Sequence, residues 1–502
     1  MSRKIKTLII SASALIALAV LLIVVINLPE KPNDAPNSSY DEMMSNILDF
    51  LGDDEEPITP LLNRSVEEVE KLTVTNEYGS FYFDRVEGDD GFYWVTDAMG
   101  EVTPDDDAIR RFIGYFSALY GTEPVEENVS GEGLEKYGFS PPSATVELEL
   151  DDGTKVRFLF GIRNPAKTGY LYCIMEGGDY DGAVVQVSFL TVSSIFSEDG
   201  KPFAKLVLTE DDNTPGQPEY IRIWRDDLGT EPVEIRYMSE LDAAAEDESI
   251  VVTTLNTYRF TMPIRAELDS SKASWLYKGL CGLSMNACEF LEKSAENLYF
   301  CGLDEPFCRV EFKLNGRERV LLLGNEFTKT TETGGKECYY AMLEDTAGIF
   351  SIQKNQARWA TFSLFGSVSN YTVSPYIYAC ESVEITLPEG KYFKFDIDGE
   401  AKTFSLSGGA VNGTEFRKLY QKLIEAAGEE IFTQPAEGEP IVTVRFNYLS
   451  DYTELYNGQY DVVKYYKLDS RKYIAELNGN SLFKVSAVYV DGLIDSVNGL
   501  VR

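Results

Sequence analysis

The chain contains no histidine among its 502 residues. That absence excludes a Ser-His-Asp triad, a Cys-His pair and any His-ligated zinc within the chain. A catalytic role would have to rest on carboxylates, Lys, Tyr or Cys alone. Basic residues are also scarce: 45 Lys and Arg stand against 82 Asp and Glu, for a net charge of −37. Such a chain is repelled by phosphate backbones, which argues against a nucleic-acid partner. No phosphate loop of the Walker type and no dinucleotide fingerprint occurs. The acidic runs Asp53–Glu56 and Asp105–Asp107 lack the alternating ligands, central Gly and closing Glu of an EF-hand. No cofactor and no metal site is expected.

Cysteine is sparse, with seven residues: Cys173, Cys281, Cys288, Cys301, Cys308, Cys338 and Cys380. Their spacing has no close knuckle pairs of the zinc-site kind. Core thiols are the favoured reading, with a disulfide between Cys301 or Cys308 and a helix cysteine as the alternative.

Long apolar runs are absent except for one. Thr7–Leu28 reads TLIISASALIALAVLLIVVINL, without a charge, after Arg3, Lys4 and Lys6. Its length suffices to cross about 30 Å of hydrocarbon as a helix. The basic flank places residues 1–6 in the cytoplasm and everything after Pro29 outside. The expected localisation is therefore the cell membrane, single-pass, with the bulk of the chain extracytoplasmic. Residues 29–60, rich in Pro, Asn, Ser and acids, read as a linker, with Met43–Leu51 as a short amphipathic helix within it.

What remains is ordinary globular composition, 44% hydrophobic and 25% charged. It carries a repeat. YGFSPPSATVELELDDGTKVRFLFG (Tyr137–Gly161) returns as CGLDEPFCRVEFKLNGRERVLLLG (Cys301–Gly324). Val184–Val187 matches Ile349–Ile352. A third, degenerate copy sets Pro142, Thr145 and Val146 on Pro440, Thr443 and Val444, and Val187 and Ser188 on Val485 and Ser486. Each copy opens on an alternating strand: Glu70, Leu72, Val74; Glu219, Ile221, Ile223; Glu381, Val383, Ile385.

A central helix is predicted in every copy. In the first, Thr103 caps, Pro104 starts, Asp105–Asp107 complement the dipole, Ile109, Phe112, Ile113 and Phe116 form the apolar face, and Gly121 ends it. In the second the helix is Trp275–Leu291. In the third Asn412 and Glu415 form a capping box ahead of the stripe Phe416, Leu419, Tyr420, Leu423, Ile424. Hairpins follow at Asp152-Gly153 and Asn315-Gly316. Gly138, Gly161, Gly302 and Gly324 read as turn and hairpin glycines, and Pro142, Pro306 and Pro440 as strand-leading prolines. The predicted fold is α+β: an N-terminal transmembrane helix (7–28), then three tandem modules at 61–205, 206–375 and 376–502, each mainly antiparallel sheet with one amphipathic helix. Glu305 and Glu439 precede the shared proline, but Pro141 stands there in the first copy, which argues against a shared acid/base residue.

The segments LEKYGFSPPSATVELEL, GTKVRFLFG and GYLYCIMEGGDYDGAVVQV resemble the family catalogued as domain of unknown function 4340. Tyr137, Gly138 and Pro142 match its Tyr-Gly-Leu-x-x-Pro pattern, with Phe139 in place of Leu. Gly302, Leu303 and Pro306 match in the second copy, with Cys301 replacing Tyr. The resemblance implies a membrane-anchored extracytoplasmic accessory protein associated with ABC-2-type transporters, partnered by permease or ATPase subunits, with no catalytic residues to carry over. The reading is thus a non-enzymatic scaffold or accessory protein; the alternative is a ligand-binding or sensing module for glycan or peptide.

Overall fold

The computed structural model describes residues 58–88, 91–177, 181–209, 217–238, 258–331 and 334–500. Alternating apolar residues build three antiparallel sheets in succession. The first holds β2 (Val69–Asn76), β3 (Gly79–Gly88), β4 (Gly91–Thr96), β6 (Ala144–Leu150), β7 (Lys155–Arg163), β8 (Tyr170–Glu176) and β9 (Val184–Ser188), in the order β4-β3-β2-β6-β7-β8-β9. β1 (Ile58–Pro60) and β5 (Tyr120–Thr122) are the strands of a small separate sheet.

The second large sheet holds β10 (Tyr220–Arg225), β11 (Val233–Tyr237), β12 (Tyr258–Met262), β13 (Ala266–Glu267), β14 (Ala287–Phe290), β15 (Cys308–Leu314), β16 (Arg317–Thr331), β17 (Gly334–Leu343) and β18 (Ile349–Gln353), ordered β13-β12-β11-β10-β15-β16-β17-β18-β14. The third holds β19 (Cys380–Thr386), β20 (Tyr392–Asp398), β21 (Thr403–Leu406), β22 (Gly409–Val411), β23 (Glu430–Ile431), β24 (Val442–Tyr448), β25 (Tyr460–Lys467), β26 (Lys472–Leu477) and β27 (Asn480–Ser486), ordered β22-β21-β20-β19-β24-β25-β26-β27-β23. In all three, the first strand of an N-terminal meander (β2, β10, β19) pairs with the first strand of a C-terminal meander (β6, β15, β24).

The α+β expectation with one helix per module is corrected. The described residues are mostly β, 44% strand against 22% helix, in four sheets. Amphipathic helices do form at Asp106–Ser117 and Gly413–Ile424, burying the apolar stripes read from the sequence. The helix expected at Trp275–Leu291 does not. Short turns at Ser270–Ala273 and Trp275–Lys278 stop at Gly279, where a Cβ would stand 3.0 Å from the Trp275 carbonyl oxygen and 3.1 Å from the Trp359 ring. Beyond it Ala287–Phe290 is recruited as β14 onto the edge strand β18, because the free edge offers ladder partners that outweigh helical spacing. The transmembrane-helix, single-pass expectation is corrected as well: no helix among the described residues is long and apolar enough to cross a membrane. The segments at 7–28 and 43–51 lie outside the described residues.

Residues Pro60–Arg502 form one unit. A single apolar cluster runs from Leu61 to Val497 through all three large sheets. Backbone bonds join the second and third modules: Thr372 N–H donates to Ala426 O at 3.0 Å and Gly428 N–H to Asn370 O at 2.6 Å.

Candidate functional site

The repeated motif builds a second, smaller core on the opposite face of the first two sheets. Tyr137, Phe139, Ile174 and Val184 cluster in one module; Cys301, Leu303, Leu322, Met342 and Ile349 cluster in the next. Gly138 and Gly302 adopt φ of +78° and +65°, a region open to glycine. Gly161 and Gly324 admit the facing backbone: a Cβ on either would lie 2.1 Å from the carbonyl oxygen of Tyr137 or Cys301. Register shifts sit at these two glycines, between Phe160 and Arg163 and between Leu323 and Glu326. Pro142, Pro306 and Pro440 each stand two residues before a strand, β6, β15 and β24. The third module lacks the glycine: Ile441 N–H donates to Tyr465 O as Ser143 N–H does to Phe160 O, so Tyr466 takes the place of Gly161.

The solvent face of the first sheet bears a cavity of about 560 Å³, lined by Lys71, Thr73, Glu147, Glu149, Lys155, Arg157 and Glu176 among others. Alternation places these polar side chains outward while Leu72, Val74, Val146 and Leu148 point to the core. Each charge there has a partner. Lys71 meets Asp84 at 2.8 Å, Lys155 meets Glu149 at 3.1 Å, and Arg157 bridges Glu147 at 3.0 Å and Glu176 at 3.4 Å. The hydrogen bond to Asp84 holds the Lys71 ammonium above its ordinary range. This is an ionic ladder across strands, whose net contribution to stability is small for exposed pairs.

The strongest electrostatic feature lies where the second and third sheets meet. Arg259 on β12 and Asp461 on β25 are 1% and 0% exposed and form an ion pair through Nη2 and Oδ2. Asp461 Oδ2 also accepts from the Tyr448 hydroxyl at 2.6 Å, and its Oδ1 accepts from Asn478 Nδ2 at 2.8 Å. Arg265 stands 3.8 Å from Oδ1. The Tyr456 ring stacks on Tyr448 at 4.1 Å and lies 5.1 Å from the Arg259 guanidinium. Arg259 Nε and Nη1 have no hydrogen-bond partner among the described residues. Burial disfavours the guanidinium charge, but the Asp461 carboxylate outweighs it and raises the Arg259 pKa above its ordinary value. Burial, then the Asp461 charge, pushes the Tyr448 phenol well above its usual range. Close by, Glu267 accepts from Ser374 N–H at 2.9 Å and from the Ser374 hydroxyl. The Arg259 and Arg265 contacts to Asp461 run between modules, and Tyr448 and Asn478 brace that carboxylate. The chemistry of this site is therefore fastening: charge held without water, in fixed geometry.

Sequence reasoning missed this junction. Its only trace is a charge inside a buried run, Arg in YRFTM and Asp in YDVVKYYK, 202 positions apart. A second buried carboxylate, Glu234, takes Arg222 at 2.6 Å, Arg236 at 2.8 Å and Thr261 at 2.6 Å. Burial alone would raise its pKa; the bonds from Thr261, Arg236 and Arg222 outweigh that and lower it.

No disulfide links the seven cysteines, and all but Cys281 are buried. Desolvation pushes the thiols of Cys288, Cys301, Cys308 and Cys380 up to about 12, which suits packing and not nucleophilic attack. Among the described residues no group of three or more Cys, Asp or Glu is placed to hold a metal ion. No family model, no curated protein and no solved structure matches the chain.

Proposed function

We propose that the chain is a non-enzymatic, membrane-tethered extracytoplasmic accessory or scaffold protein that works with an ABC-2-type transporter or another envelope complex. The observation that carries this reading is the fastening of three related sheets into one body by a continuous core and the buried Arg259–Asp461 junction. A charge pair of this kind favours a fixed arrangement more than it adds stability, which suits a part that must hold surfaces in register. The charged groups that line the cavity of about 560 Å³ over the first sheet are engaged in ion pairs, which leaves none of them poised for acid or base work.

The test is crosslinking of the full-length protein in its native membrane, followed by solubilisation and mass spectrometry of what co-purifies. Transporter permease or ATPase subunits are the expected result. Recovery of the protein alone would overturn the accessory role and favour the second reading, a ligand-binding or sensing module for glycan or peptide. That second reading draws on the cavity over the first sheet, which has the volume of a small-molecule site but an ionic lining.

A further inference from the structure

Two copies of one structural unit in a single chain provide an internal control. The helix Glu132–Lys136 and its following turn, and the helix Ala295–Cys301 and its turn, share a backbone bonding pattern. Phe139 N–H donates to Leu134 O at 2.8 Å, and Leu303 N–H to Leu298 O at 2.9 Å. Gly138 N–H donates to Glu135 O at 3.1 Å, and Gly302 N–H to Tyr299 O at 3.1 Å. By that correspondence Tyr299 stands where the first module has Glu135, and Phe300 where it has Lys136. The fold accepts polar residues at both positions, yet the second module exposes two aromatic rings there, Tyr299 at 76% and Phe300 at 60%. Phe300 touches the Phe290 ring at 6.0 Å yet stays largely exposed.

At the Phe300 position the first module carries a cation, which covers the ring one residue on, Tyr137, where the second module has Cys301. Lys136 lies 4.4 Å from the centre of the Tyr137 ring and bonds Glu126 at 3.1 Å. Tyr137 in turn meets Tyr172 at 4.7 Å. In the second module Phe300 meets Tyr340, the counterpart of Tyr172, at 5.9 Å. No lysine lies over Phe300, and Lys329 is engaged by Glu289. Glu296, one turn before Phe300 on the same helix face, and Asp304 and Glu305 just after the helix are exposed. None of the three carboxylates has an ion pair among the described residues. Rings and carboxylates without a cation are the half of the contact that the first module completes internally.

We propose that the Tyr299–Phe300 ridge, with Glu296, Asp304 and Glu305, docks a lysine- or arginine-bearing segment of a partner protein. The chain's net charge of −37 draws such a segment in and disfavours a second copy of itself as the occupant. The surface is separate from the junction described above, and its failure would leave the co-purification result untouched.

The test uses the solubilised full chain and a short fluorescein-labelled peptide of alternating lysine and alanine, read by fluorescence anisotropy at physiological salt. The double variant Tyr299→Glu, Phe300→Lys installs the residues that the first module carries on the same backbone, so its folding is checked by an unchanged melting temperature. The expected result is a loss of affinity of about tenfold or more in this variant. A smaller loss is expected in Glu296→Gln, Glu305→Gln, and none in the remote pair Glu437→Gln, Glu439→Gln. Absence of binding, an unchanged affinity in the ring variant, or an equal loss in the remote pair would overturn the proposal. So would equal binding of a glutamate–alanine peptide. Binding to phosphatidylcholine vesicles, or dimerisation, that the ring variant abolishes would assign the ridge to lipid or to a second copy instead.

Discussion

Asp461 Oδ2 accepts from two donors at once, Arg259 and Tyr448, in a place that water does not reach. Removing the carboxylate leaves the Arg259 charge buried and uncompensated, so Asp461→Ala should cost about 3–5 kcal/mol. Replacing both partners together, Arg259→Met with Asp461→Leu, should recover most of that loss; urea denaturation of the three proteins checks both statements. The tyrosines around the pair set a pH dependence. Tyr420 and Tyr448 titrate well above their ordinary value near 10 because burial disfavours the phenolate. The native state therefore holds these protons more tightly than the unfolded chain. Their contribution is complete below about pH 10 and is lost as pH rises beyond it, which a melting-temperature profile into alkali would show. Glu234 has the opposite sign: its lowered pKa contributes above the ordinary value near 4.5 and is lost on acidification. None of this was legible in the sequence. A charged residue in an alternating strand is read as outward-facing, and nothing local to Arg259 announces a partner 202 positions away.

Among the elements, the motif glycines and the helix caps divide what sequence could and could not reveal. The repeat exposed Gly161 and Gly324 as special, but not why: each lets a turn carbonyl rest directly on a bulged strand. Gly161→Ala must push backbone against backbone, and a loss of about 3 kcal/mol or more is expected. Gly153→Ala, in a hairpin with open space around it and φ of +80°, should cost only about 1–2 kcal/mol. Chemical denaturation of the two variants orders them. The first amphipathic helix was read correctly along its apolar face but not at its ends. Asp105, not Thr103, caps it by accepting from Ala108 N–H at 3.0 Å, while Pro104 bridges to Ala204 and Gly121 lies beyond the helix in β5. Asp105→Ala should cost about 1 kcal/mol, and Thr103→Ala much less. In the third module Asn412 caps by accepting from Thr414 and Glu415 N–H, while the Glu415 carboxylate accepts from Lys418 and does not close the expected capping box. The failed helix at Trp275–Leu291 has a different cause. Its apolar spacing fits a helix, but Gly279 ends the turns early and a neighbouring sheet edge claims the rest. Edge pairing depends on strands far along the chain, so local periodicity cannot reveal it.

For the whole molecule, three copies of one plan, two antiparallel meanders joined through their first strands, share a core that does not stop at the copy boundaries. The repeat showed that the copies exist, because hydrophobic alternation and turn chemistry recur at fixed offsets. It could not show that they are fastened, since the fastening uses residues outside the repeat: the backbone bonds of Thr372 to Ala426 and of Gly428 to Asn370, and the ion pair between β12 and β25. Independent modules would melt separately, because separate cores carry separate cooperativity. A scaffold held in register must not. The most direct measurement is differential scanning calorimetry of the intact protein, beside Asp461→Ala. The account predicts one transition in which the second and third modules unfold together, and its splitting into resolved steps when the buried pair is broken. Separate transitions already present in the unaltered protein would contradict it.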